Sequence, residues 1–424
     1  MRAVVVGGGI SGLCCAYYLR KRDVDVTVVD RASIGARTAA SWGNGGWIAP
    51  AQAGPLPEPG LTIYGLRALL RADSALYFSP GYLPRLTPWL LRFWTYCNQR
   101  DYDRGTAALA GLGKRCFELV DSMVADGIVF DLWKLGMVCA TNRPEDARKV
   151  LRSLDGMRRY GYSLPDDILG EDEIRALEPS LNDRVKAGFH LESQWNVKAD
   201  TLVDGLAAKL RELGVEFVEG AEVVEFDCTD SRVRSLRTGA GEIAGDYFVL
   251  AAGAWTTPLA AKLGLALPME PGKGYSFLLR PKVMPQHGIL FADIHAGVTP
   301  LGDRVRIGGT MEFSGYDLAI DQRRITNLFE LAKGYVDLEQ PEYEEPWAGL
   351  RPMTVDGLPI LDWAGPYRNT TIATGYSMLG MTVSPPAGEA MAEMMTTGER
   401  PALFEPFRID RFPRWIVRRQ AASA

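Results

Sequence analysis

The chain has 424 residues, of which 47% are hydrophobic, with Lys+Arg 47 against Asp+Glu 52 for a formal net charge of -5. Such a length suits two joined domains, and the ordinary globular composition excludes disordered and fibrous classes. The acidic balance excludes a nucleic-acid binder, whose footprint is a basic excess. The six Cys contain no C-x-x-C and the three His are scattered, so neither a disulfide scaffold nor a metal site is expected, and a reducing, cytoplasmic setting is the default. No run of 18 apolar residues appears, so no bilayer span is expected.

The first residues are apolar after one Arg, but glycines interrupt them, so they read as mature fold and not as a secretion signal. Arg2–Val6 is a short β-branched strand. Gly7-Gly8-Gly9-Ile10-Ser11-Gly12 then satisfies G-x-G-x-x-G, followed by a helix over 13–20 and a strand over 26–29 ending on Asp30. Gly7 permits the strand-to-helix turn, Gly9 lets backbone approach a pyrophosphate, and Gly12 lets helix and strand pack. The helix N-terminus offers free amides to an anion. Asp30 stands where an acid accepts ribose hydroxyls, which disfavours NADP. The fingerprint alone leaves NAD and FAD open.

Strand–helix alternation then stops. Ser41-Trp42-Gly43-Asn44-Gly45-Gly46-Trp47 forms a small-residue loop, suited to close approach of a flat cofactor or equally to a surface turn. Residues 60–165 read as largely helical, and the aromatic run over 88–96 reads as helix packing, with a membrane- or quinone-facing surface as the other reading. The span 199–213 is an amphipathic helix stopped by Gly214. Strands follow over 215–218 and 222–226, and 247–255 is a buried strand running into small residues. Dinucleotide-domain structure thus resumes near residue 199, which implies an interleaved second domain. The β-rich runs from Lys273 to Thr310 suggest an antiparallel sheet. Near the end come a strand over 371–373, the glycine-punctuated loop 375–381 and a helix to about Met395, whose N-terminus is again anion-stabilising. The tail holds Arg408, Arg411, Arg414, Arg418 and Arg419 among aromatics; it reads as solvated, with contact to anionic lipid as the other reading.

Five patches in this order resemble the D-amino-acid oxidase family of FAD-dependent enzymes, which includes bacterial D-amino-acid dehydrogenases, glycine oxidase and sarcosine oxidase. They are the 41–46 loop, Gly272-Lys273-Gly274-Tyr275-Ser276, RIGGT at 306–310, the stretch 349–359 and the loop 375–381. The resemblance implies an α/β fold in which a Rossmann-like FAD-binding domain (1–50, 195–265 and 345–400) is interleaved with a substrate domain of antiparallel sheet and helices (51–194 and 266–344), leaving 401–424 as a tail.

It also implies noncovalent FAD, since the C-terminal loop has no Cys. Gly7, Gly9, Ile10, Ser11 and Gly12 would take the pyrophosphate, and Asp30 with Arg31 the ribose. Ser41, Asn44, Gly45 and Gly46 would lie by the pyrophosphate and flavin. The backbone at Val223 or Val224 would meet adenine. Ala252, Gly253 and Trp255 would lie near the phosphates. Gly375, Leu379, Gly380 and Met381 would face the flavin N1–C2=O edge, where negative charge grows on reduction.

Arg351, in Gly349-Leu350-Arg351-Pro352, matches the family's carboxylate-binding Arg, and a guanidinium fits a carboxylate bidentately; the other reading is a structural Arg bonding turn carbonyls. Relatives add a Tyr from the strand pair before RIGGT. Here that segment holds His295 and no Tyr, leaving Tyr275, Tyr316 and Tyr376 as substitutes, with His190 and His287 structural. The implied reaction is hydride transfer from Cα of a D-amino acid to flavin N5, giving an imino acid that hydrolyses to a 2-oxo acid and ammonia. A quinone or dioxygen would then take the electrons. Oxidation of a secondary or cyclic amino acid is the next reading, ahead of a flavin-binding structural protein or an NAD enzyme.

Overall fold

A computed structural model describes residues 1–68, 74–339 and 342–412. Its first sheet has six strands in the order Glu216–Val218, Asp25–Val29, Arg2–Val6, Tyr247–Leu250, Thr370–Thr374 and Ile360–Trp363. The first five are parallel and the last is antiparallel. These strands are valine- and threonine-rich because both faces are covered. Ala3 and Val5 point to the helices Ile10–Arg20, Ala199–Glu212 and Gly380–Thr397. Val4 and Val6 point to a layer built from Val223–Cys228, Val233–Thr238 and helix Thr256–Lys262. Three stretches far apart in sequence therefore assemble one sheet, as the resumption near residue 199 foretold.

The second sheet has nine strands. Its path runs Glu344–Thr354, Met269–Leu279, Arg304–Phe313, Ala296–Leu301, Gly288–Phe291, Met137–Thr141, Ala187–Leu191 and Leu169–Gly170, and Leu76–Phe78 pairs with the end of Arg304–Phe313. Helix Gln322–Ala332 covers one face, packing Ile325, Leu328 and Phe329 against Tyr275, Phe277 and Ile307. The opposite face meets the 41–47 loop. A small sheet of Trp47–Ile48, Trp195–Val197 and Leu132–Trp133 anchors that loop's far end. The aromatic run is helix packing: in Leu83–Tyr96, Leu86, Trp89, Leu90 and Phe93 are buried, and Trp89 lies 4.9 Å from Phe93 and 5.3 Å from Phe313 between ring centres.

One expected boundary moves. The FAD segment placed at 345–400 begins inside the substrate sheet, since Glu344–Thr354 pairs along the length of Met269–Leu279. Gly349 and Pro352 read as a turn in sequence, yet an edge strand tolerates both. The chain rejoins the FAD sheet only at Ile360.

In the tail, Arg411 lies 2.7 Å from Asp356, and Arg408 pairs with Glu405 and Asp410. These two are tied to acids of the chain; Arg414, Arg418 and Arg419 lie outside the described residues. Among the described residues no helix is long and apolar enough to cross a membrane.

Candidate cofactor and substrate site

The nucleotide loop is built by close approach. Gly7 sits at φ 119°, and a β-carbon on Gly12 would fall 1.8 Å from the Gly7 carbonyl oxygen, so both positions need glycine for strand and helix to meet. Asp30 accepts from Gly8 N at 2.6 Å and from Ala32 N at 2.9 Å, tying the end of the second strand to the loop. A cleft runs from here between the two domains. Gly7, Gly9, Ile10, Ser11, Asp30 and Arg31 line one end; Val223, Ala252, Gly253 and Trp255 line its side. Ser41, Asn44, Tyr376, Gly380 and Met381 line the other end, with Leu350 and Pro352. Arg31 lies over the Trp255 ring, 3.8 Å from its centre.

The remaining expected cofactor residues lie off the lining. Gly12 is a packing glycine. Gly45 and Gly46 hold the loop: Val197 N donates to Gly46 O at 2.7 Å, and a β-carbon on Gly46 would fall 1.8 Å from Val197 O. Val224 is half exposed. Gly375 turns the chain at φ 81°, and Leu379 precedes the C-terminal helix.

The residues present fit FAD. Gly9 and Leu379, at the heads of the two helices facing the cleft, provide no side-chain cap, so N-terminal amides are left for a ligand. A β-carbon on Gly9 would approach no protein atom closer than 3.3 Å (Ser41 Oγ), and one on Gly380 none closer than 3.7 Å (Ile10 Cγ2). The protein's own packing does not demand glycine at either place, whereas a ligand pressed against the backbone does.

Three side chains missed in the sequence hold the 41–46 loop. Arg306 Nη1 donates to Trp42 O at 3.1 Å, Ser276 Oγ to Gly43 O at 3.0 Å, and Thr299 Oγ1 to Gly45 O. At the loop's start, Ile10 N donates to Ser41 Oγ at 3.1 Å. The loop is thus clipped between the substrate sheet and the head of the nucleotide-binding helix. Arg306 is 4% exposed, and burial pushes its guanidinium below its ordinary range. The Trp42 ring lies between Arg37 and Arg306, at 4.3 and 5.3 Å. Only the RIGGT patch signalled Arg306, and without a role.

At the substrate end, Arg351 Nη1 donates to Thr310 O at 2.8 Å and lies 3.7 Å from Met311 Sδ. Among the described residues no carboxylate pairs with it, and burial alone lowers its pKa to about 10. A buried cation of this kind is costly until an anion arrives. Both sequence neighbours, Leu350 and Pro352, line the cleft.

The other sequence-derived substrate residues are not gathered around Arg351. Arg351 stands opposite Gly272, so strand alternation puts Tyr275 on the far face of the sheet. There its hydroxyl donates to Glu312 at 2.8 Å. Tyr376 is buried with its hydroxyl 3.3 Å from Ser11 Oγ, which donates to Ala373 O at 2.9 Å; burial drives its phenol well above the usual range. It lines the cleft and braces the nucleotide helix. His295 follows the turn Ala292–Ile294 at φ 51° and lies off the cleft lining. Tyr316 bonds Ala254 O at 3.2 Å, beside Trp255. His287 Nδ1 lies 2.9 Å from buried Glu178, and the His190 ring packs edge-on against the His287 ring.

Residues 2–394 match the model described as FAD dependent oxidoreductase, DAO. The chain belongs to that family. Its members are FAD-dependent, in keeping with the two helix heads and the glycine-lined cleft. A D-amino acid dehydrogenase from Methylobacterium nodulans is 32% identical over 411 residues, covering 93% of this chain and 95% of the relative. One from Rhizorhabdus wittichii is 30% identical over 414 residues, covering 95% and 98%. Among solved structures, glycine oxidase from Geobacillus kaustophilus superposes with a TM-score of 0.75 at 24% identity, covering 97% of this chain and 99% of that one. This DAO-family oxidoreductase therefore shares the fold of glycine oxidase, as the sequence resemblance implied.

Proposed function

We propose that this DAO-family protein oxidises D-amino acids to 2-oxo acids and ammonia through an imino acid. The observation that carries the reading is Arg351, a buried cation beside the cleft with no acidic partner among the described residues. A planar guanidinium binds an α-carboxylate bidentately and so sets the orientation of Cα as well as supplying charge. Bound FAD supplies the two-electron acceptor for the hydride lost from Cα. The amine enters neutral, its lone pair forms the C=N bond as the hydride leaves, and no side-chain base is required. The helix headed by Gly380 turns its free amides to the end of the cleft where negative charge develops. The relatives' shared name, D-amino acid dehydrogenase, supports this substrate class. A quinone or dioxygen would then take the electrons.

The test is anaerobic mixing of the FAD-loaded protein with D-alanine, D-methionine, D-phenylalanine, their L-forms, D-proline and sarcosine, following flavin absorbance. Bleaching by the primary D-amino acids supports the proposal. Bleaching by D-proline or sarcosine alone favours a secondary-amine oxidase, and none by any of them contradicts both readings.

A further inference from the structure

Thr310 combines three costs in one residue. It is a β-branched side chain at φ 61°, a conformation such residues rarely adopt. Its hydroxyl is buried without a hydrogen-bond partner in the protein, in a residue only 9% exposed. It also sits where the ladder slips: Lys273 pairs with Glu312 and Tyr275 with Gly309, so Thr310 and Met311 bulge out of register. Glycine would remove the first two costs, because it reaches φ 61° freely and carries no hydroxyl. Strain and an unsatisfied group together at one position mark a working site more often than a packing accident.

The location narrows the work. The bulge turns the Thr310 carbonyl onto Arg351 Nη1 at 2.8 Å, so the orphan hydroxyl belongs to the residue that holds the guanidinium. Its neighbour Met311 is 3.7 Å from the same nitrogen. A hydroxyl beside an unpaired guanidinium has one obvious complement, an anionic oxygen that accepts from both.

We infer that the Thr310 hydroxyl donates to the substrate's α-carboxylate, completing with Arg351 a two-residue carboxylate site. The inference rests on the reading of Arg351 given above. It makes Thr310 a substrate-binding residue through its side chain and a positioning residue through its carbonyl.

The FAD-loaded Thr310→Gly and Thr310→Ser variants test it, with Arg351→Lys as reference. KM is measured for whichever D-amino acid of the panel bleaches the flavin fastest. Binding of propionate, a carboxylate without the amine, is read from the perturbed flavin spectrum. Thr310→Gly should keep or raise the melting temperature, yet raise KM and the propionate dissociation constant by about tenfold or more. Thr310→Ser should restore both to within about threefold. Unchanged propionate binding in Thr310→Gly overturns the inference, including the case where only KM for the amino acid moves, which assigns the hydroxyl to the amine. If Arg351→Lys itself leaves both constants unchanged, the reading of Arg351 falls and this inference with it. A clear effect of Arg351→Lys with none for Thr310→Gly removes Thr310 alone.

Discussion

The guanidinium of Arg351 occupies the space that a side chain on Gly274 would need. A β-carbon on Gly274 would fall 2.2 Å from both Nη1 and Nη2 and 2.3 Å from Cζ. The cation therefore lies flat against the strand Met269–Leu279, held from the next strand by Thr310 O. This explains the glycine in Gly272-Lys273-Gly274-Tyr275-Ser276 as a carboxylate-site residue that touches no substrate.

Gly274→Ala should displace the guanidinium while leaving the cofactor cleft intact. Overpacking of this kind costs about 1–3 kcal/mol, so KM for the D-amino acid should rise about tenfold or more. Steady-state KM together with the flavin-to-protein ratio checks this; an unchanged KM contradicts the placement of Arg351.

The same burial sets a pH limit. With its pKa lowered from 12.5 to about 10, Arg351 is cationic at neutral pH and loses its proton as pH rises through about 10. Because kcat/KM reports the free enzyme, it should fall on the alkaline side with a midpoint near that value. The effect on stability has the opposite sign: the unfolded chain binds the proton more tightly, so the fold gains as pH rises from about 10 towards 12.5. Profiles of kcat/KM for the native protein and Arg351→Met test the assignment, since the alkaline limb should disappear with the guanidinium.

On the far face of the same sheet, Lys273, 1% exposed, lies 2.9 Å from Glu312, which also accepts from the Tyr275 hydroxyl and stands 3.5 Å from Arg324. Burial pushes the Lys273 ammonium down, but Glu312 raises it by more. Glu312→Gln should lower unfolding stability by about 3–5 kcal/mol, as expected for breaking a buried pair. Denaturant unfolding of the FAD-loaded protein measures this, and a loss below about 1 kcal/mol would show the network to be solvated.

Loop retention gives a separate prediction. Arg306→Met, Ser276→Ala and Thr299→Val each remove one donor to the 42–45 carbonyls, and each should weaken FAD binding by about five- to tenfold, a single hydrogen bond's worth. The three act on one loop, so their effects should not add. Equilibrium dialysis of FAD against the apoprotein checks it.

What the sequence made legible was local. The unit from Arg2 to Asp30 could be read because turn, helix and strand follow within one βαβ span, each glycine having a steric task. Arg351 could be read because its motif carries it. The donors Arg306, Ser276 and Thr299 could not, since they grip backbone carbonyls, whose position no side-chain identity records. Tyr275 was a reasonable substitute from its motif, but face depends on register, and the parity that sends it away from Arg351 is fixed only once Gly272 pairs with Arg351. Thr310 was visible merely as the last letter of RIGGT; its strain is a property of the bulge.

The most direct test is anaerobic reduction of the native protein and Arg351→Met, matched for bound FAD, by the fastest D-amino acid of the panel. The account predicts full bleaching of both at saturating substrate, with the variant's apparent affinity weakened by about 2–5 kcal/mol, on the order of 30-fold or more. Equal affinity in the two proteins, or bleaching by the L-form as readily as by the D-form, would contradict it.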